Sequence, residues 1–334
     1  RTVQDCVRLG TEDFTICTAM LEHRFVVGDK GLAQELDATL WSDLFKPSMG
    51  RAFIQAKLDE RDKRHKKQGQ RYVVEPNVKE GKGGLRDLQS LFWIAKFIHR
   101  VQDADDLVEK GVFTSEEYDS FVAAKNFLWA VRSHLHLITK RATEQLTFDM
   151  QVMVAEAMEY KDTDGRRGVE VFMQAYFRHA TEVGDLTRIL LSNLETLHIK
   201  DGPLLERWFK RRRKVKEGYQ VVNNRLTVTD EKVFLSDKLN LLRLFEEALR
   251  TGMLIHPDAM RLVKSNLDLI DNDMRTTPEA QRIFLDLMLK HGNPERALRR
   301  MNELGVLGAF IPEFENIVAM MQFNMYHSYT VDEH

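Results

Sequence analysis

Apolar residues recur at helical spacing along most of this chain. Leu21, Phe25, Leu32, Leu36 and Leu40 carry the pattern through the first 60 residues, with Gly28 and Gly31 as breaks. A second run starts at Leu85 and continues through Leu88, Leu91, Phe92, Ala95 and Ile98. The stretch FTSEEYDSF then places Thr114 three residues before Glu117, the spacing of a capping box. Behind it Phe121, Ala124, Leu128, Val131, Leu135 and Ile138 repeat on a heptad, which predicts a packing helix. Another long helix is expected from about 169 to 197, and together these predict an antiparallel helical domain.

Two stretches break the helical period. RYVVEP reads as a strand, because Tyr72, Val73 and Val74 suit a pleated surface and Pro76 removes a ladder donor at its end. YQVVNNRLTVTD reads as a hairpin, with Asn223 and Asn224 both tolerant of the left-handed backbone that a two-residue turn requires. Between them DGPLLERWFKRRRKVKEGYQ shifts the composition: Gly202 and Pro203 break a helix and Lys210 to Lys214 form a basic run. A domain boundary is expected there. Farther on, Thr277 and Asn293 each precede a Pro-Glu pair at a helix start, and Gly292 and Gly305 are placed to close helices. The fold class expected is mainly α (α+β), with strands only over 72–78 and 220–228.

A length of 334 residues exceeds what one core usually holds, so two or three packed units are expected. The 49 Lys and Arg nearly balance the 51 Asp and Glu, so no global field draws the protein toward nucleic acid or membrane. Cys6 and Cys17 have no metal-spaced partners and are expected to be reduced and structural, in a cytoplasmic protein. No apolar stretch reaches the roughly 20 residues that cross a bilayer, and no signal-peptide pattern opens the chain. Beginning at Arg1 and stopping at His334 within an ordered-looking run, the sequence is expected to be part of something longer.

The densest candidate chemistry lies in EPNVKEGKGGLRDLQ, Glu75 to Gln89. A strand-like approach, a glycine-rich loop and a helix start can turn amides toward a phosphate, with Lys79, Lys82 and Arg86 around it. The spacing is neither that of a P-loop nor that of a dinucleotide fingerprint. On the residues alone, a phosphate cradle and a tight structural turn both stay open. So do two readings of the basic segment RDKRHKKQGQR, Arg61 to Arg71: a solvated helix end, or a patch for phosphate or an acidic partner. His134 and His136 are two apart and point to different faces, which argues against a metal pair. The D-x-D pairs Asp103/Asp105, Asp162/Asp164 and Asp271/Asp273 read as caps or loops.

EPNVKEGKGGLRDLQSLFWIAKF resembles the PN-x-K-x-x-x-GGLRD-[IL]-Q segment of the bacterial PII uridylyltransferase/uridylyl-removing enzymes, and GGLRD is similar to the GGIRE of glutamine synthetase adenylyltransferases. RMNELGVLGAFIPEF, followed by IVAMMQFNMYHSYTVDEH, is similar to the run by which the same family enters its HD domain. The resemblance implies a polymerase-β-like nucleotidyltransferase that moves UMP from UTP to a tyrosine of PII with Mg²⁺. It also implies an HD domain with a divalent metal that hydrolyses the product, and C-terminal ACT domains that sense glutamine. The domains it implies are 1–100, the C-terminal part of the transferase; 101–200, its helical companion; and 201–334, a connector with a hairpin and helices leading into a truncated HD domain.

Residue by residue, the resemblance implies that Asp87 is a catalytic metal carboxylate and that Lys79, Lys82, Gly83, Gly84 and Arg86 face the nucleotide phosphates. An internal Arg86–Asp87 ion pair is the competing structural role. His334 is implied as a metal ligand of the HD site, and His327 as a positioning residue beside it. The D-x-D strand of the transferase and the H-D pair of the hydrolase are both missing, so the chain alone is expected to be inactive in both reactions. Two alternatives stand beside this one: a non-catalytic helical interaction module, and a different nucleotidyltransferase-HD enzyme such as a CCA-adding relative.

Overall fold

A computed structural model describes residues 2–68, 72–101, 105–163, 165–198, 214–290, 292–323 and 328–333. They form a mainly helical protein with one small sheet, organised as two compact units, Arg1–Leu190 and Leu191–His334. No helix among the described residues is long and apolar enough to cross a membrane.

In the first unit the helices are α1 (Val3–Glu12), α2 (Phe14–Leu21), α3 (Lys30–Thr39), α4 (Gly50–Gln68) and α5 (Leu85–His99). They are followed by the short α6 (Asp106–Glu109), then α7 (Ser115–Thr139), α8 (Phe148–Ala157) and α9 (Gly168–His198), which runs on past the unit's last residue. The heptad residues Phe121, Ala124, Leu128, Val131 and Leu135 of α7 are buried, the last one, Ile138, is half-buried, and Thr114 with Glu117 closes the capping box expected at its start. α4 packs on α5 through aromatic rings: Phe53 stacks on Phe97 with centroids 4.5 Å apart, and Phe14 meets Phe53 edge-on at 5.8 Å. Burying rings of this size supplies about 2 kcal/mol each, enough to fix how the two helices face one another.

The strand expected over 72–78 does not form. Asn77 makes an isolated bridge to Gln145, flanked by the Val78 amide on the Glu144 carbonyl (2.8 Å) and the Leu146 amide on the Pro76 carbonyl (2.9 Å). Pro76 has no N–H, and its partner is only the short connection between α7 and α8, so no ladder can extend. Buried Gln151 replaces the missing ladder by donating to the carbonyls of Val74 (2.7 Å) and Leu146 (2.9 Å). The segment is thus held as an extended strap, with Val74, Val78 and Leu85 buried along it.

The second unit holds the expected hairpin. β1 (Tyr219–Val222) and β2 (Arg225–Val228) pair antiparallel, with Tyr219 opposite Val228, around Asn223 and Asn224 at φ 49° and 60°. A two-residue β3 (Leu254–Ile255), too short to show a period in sequence, adds parallel to β2. The helix Asn240–Thr251 buries Leu241, Leu242, Leu244 and Phe245 and ends on Gly252 in the left-handed region. Asn293 caps its helix as expected, accepting from the Arg296 amide at 3.3 Å. Thr277 occupies its cap position, but its hydroxyl donates back to the Asp273 carbonyl at 2.8 Å and caps nothing. Gly202, Pro203 and most of the basic run 210–214 lie outside the described residues.

Replacing Gln151 with Leu leaves two buried carbonyls without a donor. The first unit is expected to lose about 3 kcal/mol, read as a lower urea midpoint at unchanged slope.

Candidate functional site

The strap leads into the loop 77–84, whose amides from Lys79 onward, Lys82 apart, all donate within the protein. The Asn77 side chain accepts from the amides of Lys79 (3.2 Å) and Glu80 (2.7 Å), which starts the turn. Gly81 donates to the Asn77 carbonyl (2.9 Å), Gly84 to that of Gly81 (2.9 Å), Leu85 to that of Val78 (3.0 Å) and Arg86 to that of Lys79 (2.9 Å). The Gly83 amide donates to Asp87 Oδ2 at 2.9 Å. Gly83 sits at φ +77° with its α-carbon against the Ala180 carbonyl of α9, where any Cβ would collide with backbone. A Cβ on Gly81 would stand 2.5 Å from the Asn77 carbonyl oxygen. Both glycines are therefore required by close backbone packing.

Asp87 is the third residue of α5, the position where a carboxylate reaches back to an orphan amide before the helix and meets the positive end of its dipole. It is 5% exposed. Its Oδ1 accepts from Arg64 Nη2 at 2.7 Å, and its Oδ2 lies 2.8 Å from His65 Nε2. Burial pushes this carboxyl up, but the hydrogen bond and charge of His65, the Gly83 amide and the Arg64 charge outweigh it, leaving Asp87 below the ordinary carboxylate range. The Arg86–Asp87 pair offered as the competing role does not form. Adjacent helical residues project about 100° apart. Arg86 turns instead to Gln89 Oε1 (3.1 Å) and lies over the Trp93 ring (5.4 Å), with the Glu80 carboxylate 3.6 Å away.

Arg64 and His65 come from the basic segment that sequence reasoning left undecided, now the last turns of α4. Nothing in the local pattern tied them to a carboxylate 23 and 22 residues on. The available signal was physical: a carboxylate near a buried helix start needs counter-charge, and this run is the densest supply upstream of it. Lys57, two turns earlier on the same face of α4, was also missed; it is 2% exposed, with Nζ 3.0 Å from both oxygens of Glu60 and 5.7 Å from the Trp93 centroid.

The other expected site residues are placed as follows. Lys79 Nζ lies 3.9 Å from Glu80, and Lys82 is half-buried at the loop's tip. The Gly83 and Gly84 amides are turned inward. His327 and His334 lie outside the described residues, as do Asp103 and Asp164 of the D-x-D pairs. Asp105, Asp162 and Asp271 each accept a backbone amide at a cap or turn, and Asp271 also takes Lys238 Nζ at 2.7 Å. His136 faces Glu144 at 3.6 Å.

Asp87 does not fit a divalent-metal site in this arrangement. Both of its oxygens are occupied by protein donors, and no group of three His, Cys, Asp or Glu among the described residues could hold a metal ion. What the cluster can do is fix side chains in place: Asp87 holds Arg64 and His65 of α4 against the loop.

Two family models match. That for the GlnD PII-uridylyltransferase covers residues 52–191, and that for the uridylyltransferase GlnD third domain covers 219–310, together more than half of the chain. Over its whole length the chain is 71% identical to a bifunctional uridylyltransferase/uridylyl-removing enzyme from Ruegeria pomeroyi, of which it spans 37%. It is 65% identical to the enzyme of that name from Cereibacter sphaeroides, spanning 36%. The chain thus covers a little over a third of these curated relatives. No solved structure matches it.

Two outcomes follow from the cluster. Gly83→Ala is expected to destabilise the first unit by about 2 kcal/mol or more, since both the backbone angle and the Ala180 contact oppose it; chemical denaturation measures this. With its folded pKa depressed, Asp87 contributes stability that is fully present above its unfolded value near 3.9 and is lost as pH falls through the lower folded value. Acid titration of stability should therefore be shallower below about pH 4 in Asp87→Asn than in the parent chain.

Proposed function

Because this chain belongs to the GlnD PII-uridylyltransferase family, we propose that it is part of a bifunctional enzyme that transfers UMP from UTP to a tyrosine of the PII signal protein and hydrolyses PII-UMP. The observation that carries this is identity sustained across the whole chain to relatives bearing that two-part name. The protein is proposed to act in the cytoplasm. The hydrolytic HD domain and the glutamine-sensing ACT domains are proposed for the whole protein, with His334 and His327 belonging to the HD side.

Within the first unit, the closed loop and the Asp87 cluster give α4 and α5 a fixed relative placement, so that cations on both helices keep one geometry when a nucleotide arrives. Asp87 acts here as a positioning residue. Arg86 supplies positive charge near the phosphates, while Gly83 and Gly84 shape the loop behind it, where Lys79 is turned to Glu80. Bound Mg²⁺ would neutralise triphosphate charge and ease deprotonation of the attacking hydroxyl, but its carboxylates are not assembled by the described residues.

One observation favours a second reading, in which this unit binds PII without contributing groups to the chemistry. Apart from Lys82, every amide from Lys79 to Arg86 has a partner inside the protein.

Incubation with PII, UTP and Mg²⁺, read by mass spectrometry of PII, tests the proposal. The full-length protein is expected to add UMP, and this 334-residue chain, which contains no D-x-D after a Gly-Ser turn, is expected to add none. A full-length protein that leaves PII unmodified would overturn the function, and labelling by the chain alone would overturn its dependence on the missing carboxylates.

A further inference from the structure

Three helices of the first unit each turn one stripe toward a common cavity of about 650 Å³. Thr15, Thr18 and Ala19 face it from α2, with Glu22 just past that helix's end, and Lys57, Glu60, Lys63, Arg64 and Lys67 from α4. Arg86 and Trp93 complete it from α5, with Glu80 of the loop beside them. Spacings of three, four and seven mark one face of each helix, so the lining is a built wall and not a scatter of side chains. Its size lies within the range of small-molecule sites, about 300–1,000 Å³.

Five cations meet three carboxylates in this wall. Lys57 is held by Glu60, and Arg64 by Asp87, while Glu80 stands 3.4 Å from Arg64 and 3.6 Å from Arg86, too far for strong bonds. Lys63 and Lys67 have no ion-pair partner among the described residues. They stand four apart on α4, where like charges repel, so the unliganded wall carries a cost that a bound anion would remove. Trp93 has Lys57 and Arg86 over its ring at 5.7 and 5.4 Å, which leaves the indole occupied by cations and not offered to a base.

We propose that this cavity is a polyphosphate site, in which Lys63, Lys67, Arg64 and Arg86 hold the phosphate chain of a nucleotide through side chains, in place of the loop amides. The choice of a nucleotide as the source rests on the function proposed above; the cationic site itself does not. The loop supports the site from behind, through Asp87, and does not contact the ligand. Direct bonds from ammonium and guanidinium to phosphate are short and strong, and they weaken as salt screens them.

Calorimetry of the 334-residue chain with inorganic tripolyphosphate tests this. Binding at one site, weakening as salt is raised, is expected. The double variant Lys63→Ala/Lys67→Ala should lose roughly tenfold or more in affinity, while Lys79→Ala/Lys82→Ala should stay within about twofold. UMP, with a single phosphate, should bind far more weakly than tripolyphosphate. Circular dichroism melts check that both variants remain folded, as expected for lysine changes at a solvated wall. No binding by the parent chain, loss in the loop variant with none in the α4 variant, or UMP binding as tightly as tripolyphosphate would each overturn the site. Tripolyphosphate binding with the expected losses, beside a full-length protein that leaves PII unmodified, would sink the function and leave the site standing.

Discussion

A carboxylate buried at the start of a helix imposes terms on everything around it. Asp87 can stay ionised at 5% exposure only because the Gly83 amide, Arg64 and His65 converge on it. Arg64 and His65 lie on the last turns of α4, so this requirement brings that basic helix end against the loop. The Phe53–Phe97 stack fixes the other end of the same helix pair. Between an aromatic clamp and a charged one, α4 and α5 have little freedom to slide or rotate. The basic face of α4 thereby becomes a wall with a fixed partner across from it.

The loop depends on the same interaction from the other side. Gly83 approaches Ala180 so closely that only a residue without Cβ fits, and its amide would be an orphan donor but for Asp87. Removing the carboxylate would leave that amide without its acceptor and the Arg64 guanidinium with only the more distant Glu80. The strap that feeds the loop, held by Gln151 and the short bridge at Asn77, is the third tie. Each tie joins segments far apart in sequence, so the site's geometry is a tertiary property and not a local one.

That distinction explains what could be read from the sequence. The heptad of α7, the Thr114 capping box, the Asn-Asn hairpin and the length of α9 are local patterns, and each is found where the spacing placed it. The strand over 72–78 failed because β-branched residues say that a segment is extended and buried, but not whether a partner long enough to form a ladder exists. Asp87 was recognisable as a special residue, yet its neighbours in space were not its neighbours in sequence. Arg86, adjacent in the chain, points away, while Arg64 and His65 arrive from another helix. The basic segment illustrates the same limit, since a solvated helix end and a cavity wall share one composition until the facing helix is known.

Glycine-rich loops before helices are ambiguous for a physical reason that this protein makes plain. Gly-x-Gly-Gly frees the backbone either to aim amides at an anion or to fold amides back onto the chain, and the residues required are identical. Only an accounting of donors separates the two outcomes. Here the amides of Gly81, Gly83 and Gly84 are all consumed internally, and the acceptor of the central one is a side chain that also recruits cations from α4. The loop's contribution to recognition therefore passes through side-chain charge: it spends its own donors on a buried carboxylate, and that carboxylate fixes where the guanidinium of Arg64 stands. A sequence pattern that suggests direct phosphate contact can thus report the support behind a site, one layer removed from the ligand.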